Sequence, residues 1–185
     1  METKFESFGK IARFARDIVI TEKIDGTNAQ VMITEDGDVL AGSRNRWLTF
    51  SSDNYGFARW VEWYKEDLLK LGPGRHFGEW WGQGINRGYG LKEKRFSLFN
   101  TARWAASDVR PECCHVVPMI YQGPFTEDAV YEAIRFLREN GSIATDFPNP
   151  EGIIIFHTAG NHLYKMTLEN DDKPKGVASG GTESN

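Results

Sequence analysis

A lysine stands at position 23, between the strand-like run DIVITE (17–22) and the turn Asp25-Gly26-Thr27-Asn28. The turn calls for Asp-Gly but not for a lysine at its mouth. An amine so placed is a candidate nucleophile toward a phosphoanhydride, provided it loses its proton near neutral pH. Neighbouring cations and partial burial favour that loss. Farther along, Glu79 sits in HFGEWW between a glycine and a tryptophan, and Glu151 directly precedes Gly152. Carboxylates of this kind suit a divalent cation, and the glycine allows a close approach to the backbone. Arg44 and Lys165 add positive charge, and the aromatic run FSLF ends on Phe99. Taken singly, each has an ordinary reading. Lys23 and Lys165 are solvated strand ends, Glu79 a surface carboxylate, Phe99 core, and Arg44 one half of an ion pair. What separates the readings is their joint order.

The elements that must position these residues follow from pattern. Residues 17–23 and 27–34 read as strands, and ITEDGDVLAG as a hairpin turning at Asp36-Gly37 into a third strand. Phe57, Trp60, Val61, Tyr64, Leu68 and Leu71 recur at helical spacing, which predicts one helix over about 54–71, stopped by Gly72-Pro73-Gly74. HFGEWWG, RFSLF and CHVVPMIY read as strands, the proline of the last favouring a sheet edge. Thr126 opens a helix with Glu127 and Asp128 in its first turn and Gly141 as its stop, both suited to helix-end chemistry. GIIIFH and HLYKMTL complete the strands. The class is α+β, with mostly antiparallel sheets flanked by helices.

The chain has 185 residues and a net charge of −4, with six Trp, six Tyr and twelve Phe. That charge excludes a surface wholly coated for nucleic acid but leaves room for a local basic groove. No apolar run reaches the length of a membrane span, so no membrane partner is expected. The N-terminal METKFESFGK carries no apolar core of a leader, and the two cysteines, Cys113 and Cys114, are adjacent. Both features fit a reduced, cytoplasmic chain. Cys-Cys-His at 113–115 lacks the second pair that a zinc site needs, and buried thiols are the simpler reading.

The segments EKIDGTN, SR, FGEW, FSLF, EGIII and YKM run in that order from residue 22 to 166. In that order they resemble the covalent nucleotidyltransferases: the ATP-dependent RNA and DNA ligases and the mRNA capping enzymes. The resemblance implies a nucleotidyltransferase adenylation domain over 1–175, without an OB-fold; the tail over 176–185, GVASGGTESN, has nothing to pack and is expected to be disordered. It implies ATP and Mg²⁺ or Mn²⁺ as cofactors. Lys23, Glu151 and Lys165 become catalytic, with Glu151 and Glu79 on the metal. Glu22, Ile24, Gly26, Asn28, Arg44, Glu79, Phe99 and Lys165 become nucleotide contacts, Phe99 stacking on the purine with Phe96 as its fallback. Lys-x-x-Gly-x-Asn, with Asn28 in place of an arginine, resembles the RNA ligases that seal nicks in duplex RNA. The implied reaction has three steps: AMP moves to Lys23, then to a 5′-phosphate end, and a 3′-hydroxyl displaces it.

Two features depart from the resemblance. The last segment commonly carries two lysines two residues apart, and here the second position is Thr167; Lys173 and Lys175 are substitutes. The chain also ends soon afterwards, so nick binding is expected from the core, a protein partner or an oligomer. Within the core, the candidate surface joins Arg44, Arg46 and Trp47 to a loop carrying Arg87, Tyr89, Lys92, Lys94 and Arg95, basic residues interleaved with aromatics. The partner is nucleic acid, in the first place RNA with 5′-phosphate and 3′-hydroxyl ends. Nicked DNA, an enzyme that only adenylates ends, and a catalytically weak nucleotide- or RNA-binding module stay open as alternatives.

Overall fold

The structure, a computed structural model, describes residues 3–171. The expected tail over 176–185, together with Lys173 and Lys175, lies outside the described residues. Among the described residues nine strands form two sheets. The first half of the chain gives β1 (Asp17–Lys23), β2 (Thr27–Ile33), β3 (Val39–Ser43), β4 (Gly74–Gly82) and β5 (Lys94–Leu98). The second half gives β6 (Cys114–Val116), β7 (Met119–Pro124), β8 (Gly152–His157) and β9 (His162–Thr167). One sheet has the order β7-β1-β8-β9, the other β3-β2-β4-β5-β6. All pairings are antiparallel except β5 with β6.

The helices cover one face of each sheet. Strand β1 alternates Ile18, Ile20 and Glu22 on one face with Val19, Thr21 and Lys23 on the other. Ile18 and Ile20 are fully buried against Ile153, Ile155 and the apolar stripe Val130, Ala133, Ile134 and Leu137 of a helix at Glu127–Asn140. Thr126 caps that helix by accepting from the Ala129 N–H, Gly141 ends it at φ 80°, and the acidic first turn complements its dipole. The five-stranded sheet buries Val31, Ile33, Trp80, Phe96 and Leu98 against Phe57, Val61, Leu68 and Leu71.

Two expected elements break. The helix over 54–71 becomes α1 (Phe57–Trp63), α2 (Lys65–Leu68) and a 3₁₀ turn at Leu69–Leu71, bending at Tyr64 (φ −102°, ψ 17°). Hydrogen bonding continues through the bend, from Tyr64 N–H to the Trp60 carbonyl and from Leu68 N–H to that of Tyr64. The bend lets both ends reach one core. CHVVPMIY is two strands. Pro118 cannot donate to a ladder, and there the chain leaves the five-stranded sheet and enters the other. The Pro118 carbonyl accepts from Glu22 N–H at 2.9 Å, where the β1–β7 register shifts. The short α3 (Thr101–Trp104) and the longer α4, the Glu127–Asn140 helix, complete the chain-order numbering. Among the described residues no helix is long and apolar enough to cross a membrane.

Candidate active site

Lys23 is the last residue of β1, and Gly152, the first of β8, is its register partner. That pairing places Glu151 beside the amine. Lys23 Nζ donates to Glu151 Oε2 at 2.5 Å, with the two side chains 17% and 7% exposed. The chain then turns through 24–26 into β2, in the other sheet. There Asn28 pairs with Glu79 across β2 and β4. Glu79 accepts from Gly26 N–H (3.1 Å) and from Asn28 Nδ2 (3.2 Å). The site therefore sits where the chain passes from sheet to sheet, with one carboxylate contributed by each.

Burial pushes the Glu79 carboxyl from an ordinary 4.5 up to about 7; Lys23 and the Gly26 and Asn28 donors work against that rise, and Glu151 adds to it. A carboxyl whose folded value exceeds its unfolded one holds its proton longer in the native state. Its stabilising contribution is complete below about 4.5 and is lost as pH climbs to 7. The window is about 2.5 pH units, or roughly 3 kcal/mol at most. In chelator, stability from urea unfolding should decline across pH 4.5–7, and Glu79→Gln should flatten that decline. An equal slope in both proteins would refute the assignment.

Gly26 is required by packing. A Cβ there would lie 2.5 Å from the Trp80 carbonyl oxygen and 2.7 Å from Trp81 Cβ, so the turn rests directly on β4. At Gly152 a Cβ would run into the Met166 carbonyl, which explains a glycine after Glu151 by strand crowding.

Lys165 lies opposite Ile154, itself opposite Thr21. Directly paired residues share a face, so Lys165 stands exposed on the face that carries Lys23. On β4, Phe77 and Glu79 are two residues apart and share a face. Phe99 donates its N–H to the Phe77 carbonyl, which holds it alongside. Both rings are half exposed, Phe99 at 41% and Phe77 at 53%. Phe77 was missed in sequence, although its spacing from Glu79 within HFGEW signals it. Phe96, the fallback platform, is fully buried in the core and cannot stack on a ligand. Arg44 is exposed, one residue beyond the Ala29–Ser43 pair, at the level of Asn28.

Two expected nucleotide contacts turn away from Lys23 and the two carboxylates. The Glu22 carboxylate is on the α4 face, 1% exposed, accepting from Ser142 Oγ (2.6 Å) and from the Ile143 and Ala144 N–H groups (2.8 and 3.1 Å). Burial raises its pKa against these bonds. The Ile24 side chain packs with Trp81, Tyr89 and Val117. Only backbone groups of these two residues can face a ligand.

The basic surface is thinner than its composition. Tyr89 is 1% exposed. Arg46 is bound to Ser52 and to the Asp53 carbonyl, Arg95 to Glu93, and Arg87 to Asp25. Arg44, Trp47, Lys92 and Lys94 are left to meet a polyanion. Thr167 donates its hydroxyl to the Glu169 carbonyl and lies 3.2 Å from Asp171, so the second-lysine position closes a turn.

The family described as RNA ligase matches residues 16–167. This chain belongs to the RNA ligase family. No curated protein matches it. Among solved structures it is similar to the Naegleria gruberi RNA ligase with PPi (TM-score 0.63, 19% identity, 83% of this chain and 50% of that one). A mutant of the same ligase with ATP and Mn is also similar (TM-score 0.63, 18%, 83% and 49%), as is a mutant with AMP and Mn (TM-score 0.58, 20%, 83% and 50%). The RNA ligase member described here spans about half the length of those chains. At these identities the likeness establishes the shared fold.

Proposed function

We propose that this protein is an ATP-dependent RNA ligase that works through a lysyl-AMP intermediate. The observation that carries the reading is the amine of Lys23 held by Glu151, with Glu79 across the turn. In the first step the Lys23 nitrogen attacks the α-phosphorus of ATP, forming a phosphoramidate bond as pyrophosphate leaves. AMP then passes to a 5′-phosphate end, and a 3′-hydroxyl closes the phosphodiester and releases AMP.

Among the described residues no three His, Cys, Asp or Glu side chains group to hold a metal on their own. Two buried carboxylates with substrate phosphates and water are the donor set magnesium ordinarily takes, so Glu79 and Glu151 fit Mg²⁺ or Mn²⁺. Such an ion supplies charge neutralisation on the phosphates. Glu151 orients the amine. Lys165 and Arg44 place positive charge where the triphosphate enters, and Phe99, with Phe77 beside it, offers the purine a stacking surface. Phosphoryl transfer is mostly positioning and charge stabilisation, which is what these residues provide. RNA is the acceptor that Asn28 favours, since a neutral donor and acceptor can read a ribose hydroxyl.

The position of Thr167 supports a second reading, an enzyme that stops at adenylated ends, because a lysine expected near the α-phosphate is replaced by a hydroxyl already in use. One assay separates the two. Intact mass after ATP and Mg²⁺, preceded by pyrophosphate to strip resident AMP, should show a gain of one AMP. Gels on 5′-phosphorylated RNA and DNA nicks should show sealed RNA. Accumulation of adenylated ends alone would favour the second reading, and no mass gain would reject both.

A further inference from the structure

The loop between β4 and β5 reaches over the turn that follows Lys23. Every polar group of Asp25 and Gly26 in that turn, apart from the Asp25 carbonyl, is taken up. Asp25 N–H donates to the Tyr89 hydroxyl (2.9 Å), and the Gly26 carbonyl accepts from Asn86 Nδ2 (2.7 Å). The Asp25 carboxylate accepts from Asn86 Nδ2 (3.0 Å) and Arg87 Nε (3.0 Å). Arg87 also faces away from this turn. Its NH1 donates to the carbonyls of Asn149 (2.8 Å) and Pro150 (3.2 Å), the two residues before Glu151. Tyr89 also joins two segments, its hydroxyl accepting from the Asp25 N–H and its carbonyl from the Thr145 hydroxyl (3.3 Å). The loop holds Asn86 and Tyr89 at positive φ, 45° and 50°. That conformation is costly for a bulky residue such as tyrosine and persists where surrounding contacts enforce it.

We propose that Arg87 is a positioning residue that locks the Lys23 turn to the Glu151 strand and so sets the geometry of the amine against the carboxylate. The inference rests on the reading of Lys23 and Glu151 as the reacting pair. The Lys23–Gly152 pair is the last of the β1–β8 ladder, and Arg87 adds a cross-link just beyond it, from the Asp25 carboxylate to the two carbonyls before Glu151. An exposed ion pair alone is worth little. Here a planar guanidinium spans three acceptors on two segments, a geometry that lysine cannot reproduce. This differs from the expectation that Arg87 meets a nucleic-acid phosphate, since its Nε and NH1 donors are spent within the chain.

Hydrogen exchange of the full chain tests the coupling directly, on Arg87→Ala, Arg87→Lys and, in case the first fails to fold, Tyr89→Phe, which removes only the hydroxyl. Peptides covering 22–28 and 147–153 should both exchange about tenfold faster in each variant, with 130–137 unchanged. Self-adenylation should slow about 10- to 30-fold with the ATP KM within about twofold, and Arg87→Lys should recover little. Protection unchanged in either segment, or wild-type adenylation by Arg87→Ala, overturns the proposal. So does a loss confined to RNA sealing, which would return Arg87 to the phosphate surface. If the wild-type chain takes up no AMP, the catalytic reading fails while the exchange data still decide the coupling.

Discussion

Lys23→Ala takes up no AMP. Incubated with ATP and Mg²⁺, its intact mass should stay unchanged, a loss of at least about 10³-fold relative to the wild-type chain, since the proposed mechanism makes this residue the nucleophile. No neighbouring amine can replace it. Lys165 shares the sheet face but stands two strands away, roughly 10 Å at ordinary strand spacing. Folding should survive, because the lost side chain lies at a strand end outside the three apolar clusters. A variant that still gains AMP, with the adduct mapped to another lysine, would refute the reading at its root.

Glu151→Gln should retain folding and lose about 10²-fold in the rate of AMP transfer, measured in single turnover with ATP saturating. The amide still accepts a hydrogen bond from Lys23 but removes the charge that the amine and a cation share. A second readout accompanies it. Glu151 adds to a rise of the Glu79 carboxyl that burial mainly causes, so its neutralisation should draw the upper end of the stability decline of the metal-free protein down from pH 7, the lower end staying near 4.5. A rate within threefold of wild type would show that Glu151 only braces the strand.

Much of this arrangement was legible from local pattern. The strand bearing Lys23, the Asp36-Gly37 hairpin, the Thr126 cap and the GIIIFH strand each follow from residues adjacent in sequence, and each stands within a residue or two of its expected place. What was not legible depends on distant partners. The bend at Tyr64 arises because Phe57 and Leu71 share one core. Phe96 and Phe99 could not be told apart by composition, and strand alternation, which sends Phe96 inward and leaves Phe99 half exposed on the Glu79 face, decides between them. Glu22 faces the 142–144 loop some 120 residues away, and Arg87 finds its acceptors 62 and 63 residues along the chain. No window of sequence contains those pairs.

The passage of the chain through Pro118 has a consequence for synthesis. Residues 27–116 complete the five-stranded sheet from consecutive pieces, as an insertion within the four-stranded one. Strand β1 emerges first and then waits for β7 and β8, its partners more than ninety residues downstream. On a chain made from its N-terminus, the inserted sheet can form early while the two flanks of β1 stay open to water, because distant pairings carry the larger closure cost. The Lys23 amine and the Glu151 carboxylate can therefore meet only once β8 has been made, and under the proposed mechanism a nascent chain truncated before β8 should take up no AMP.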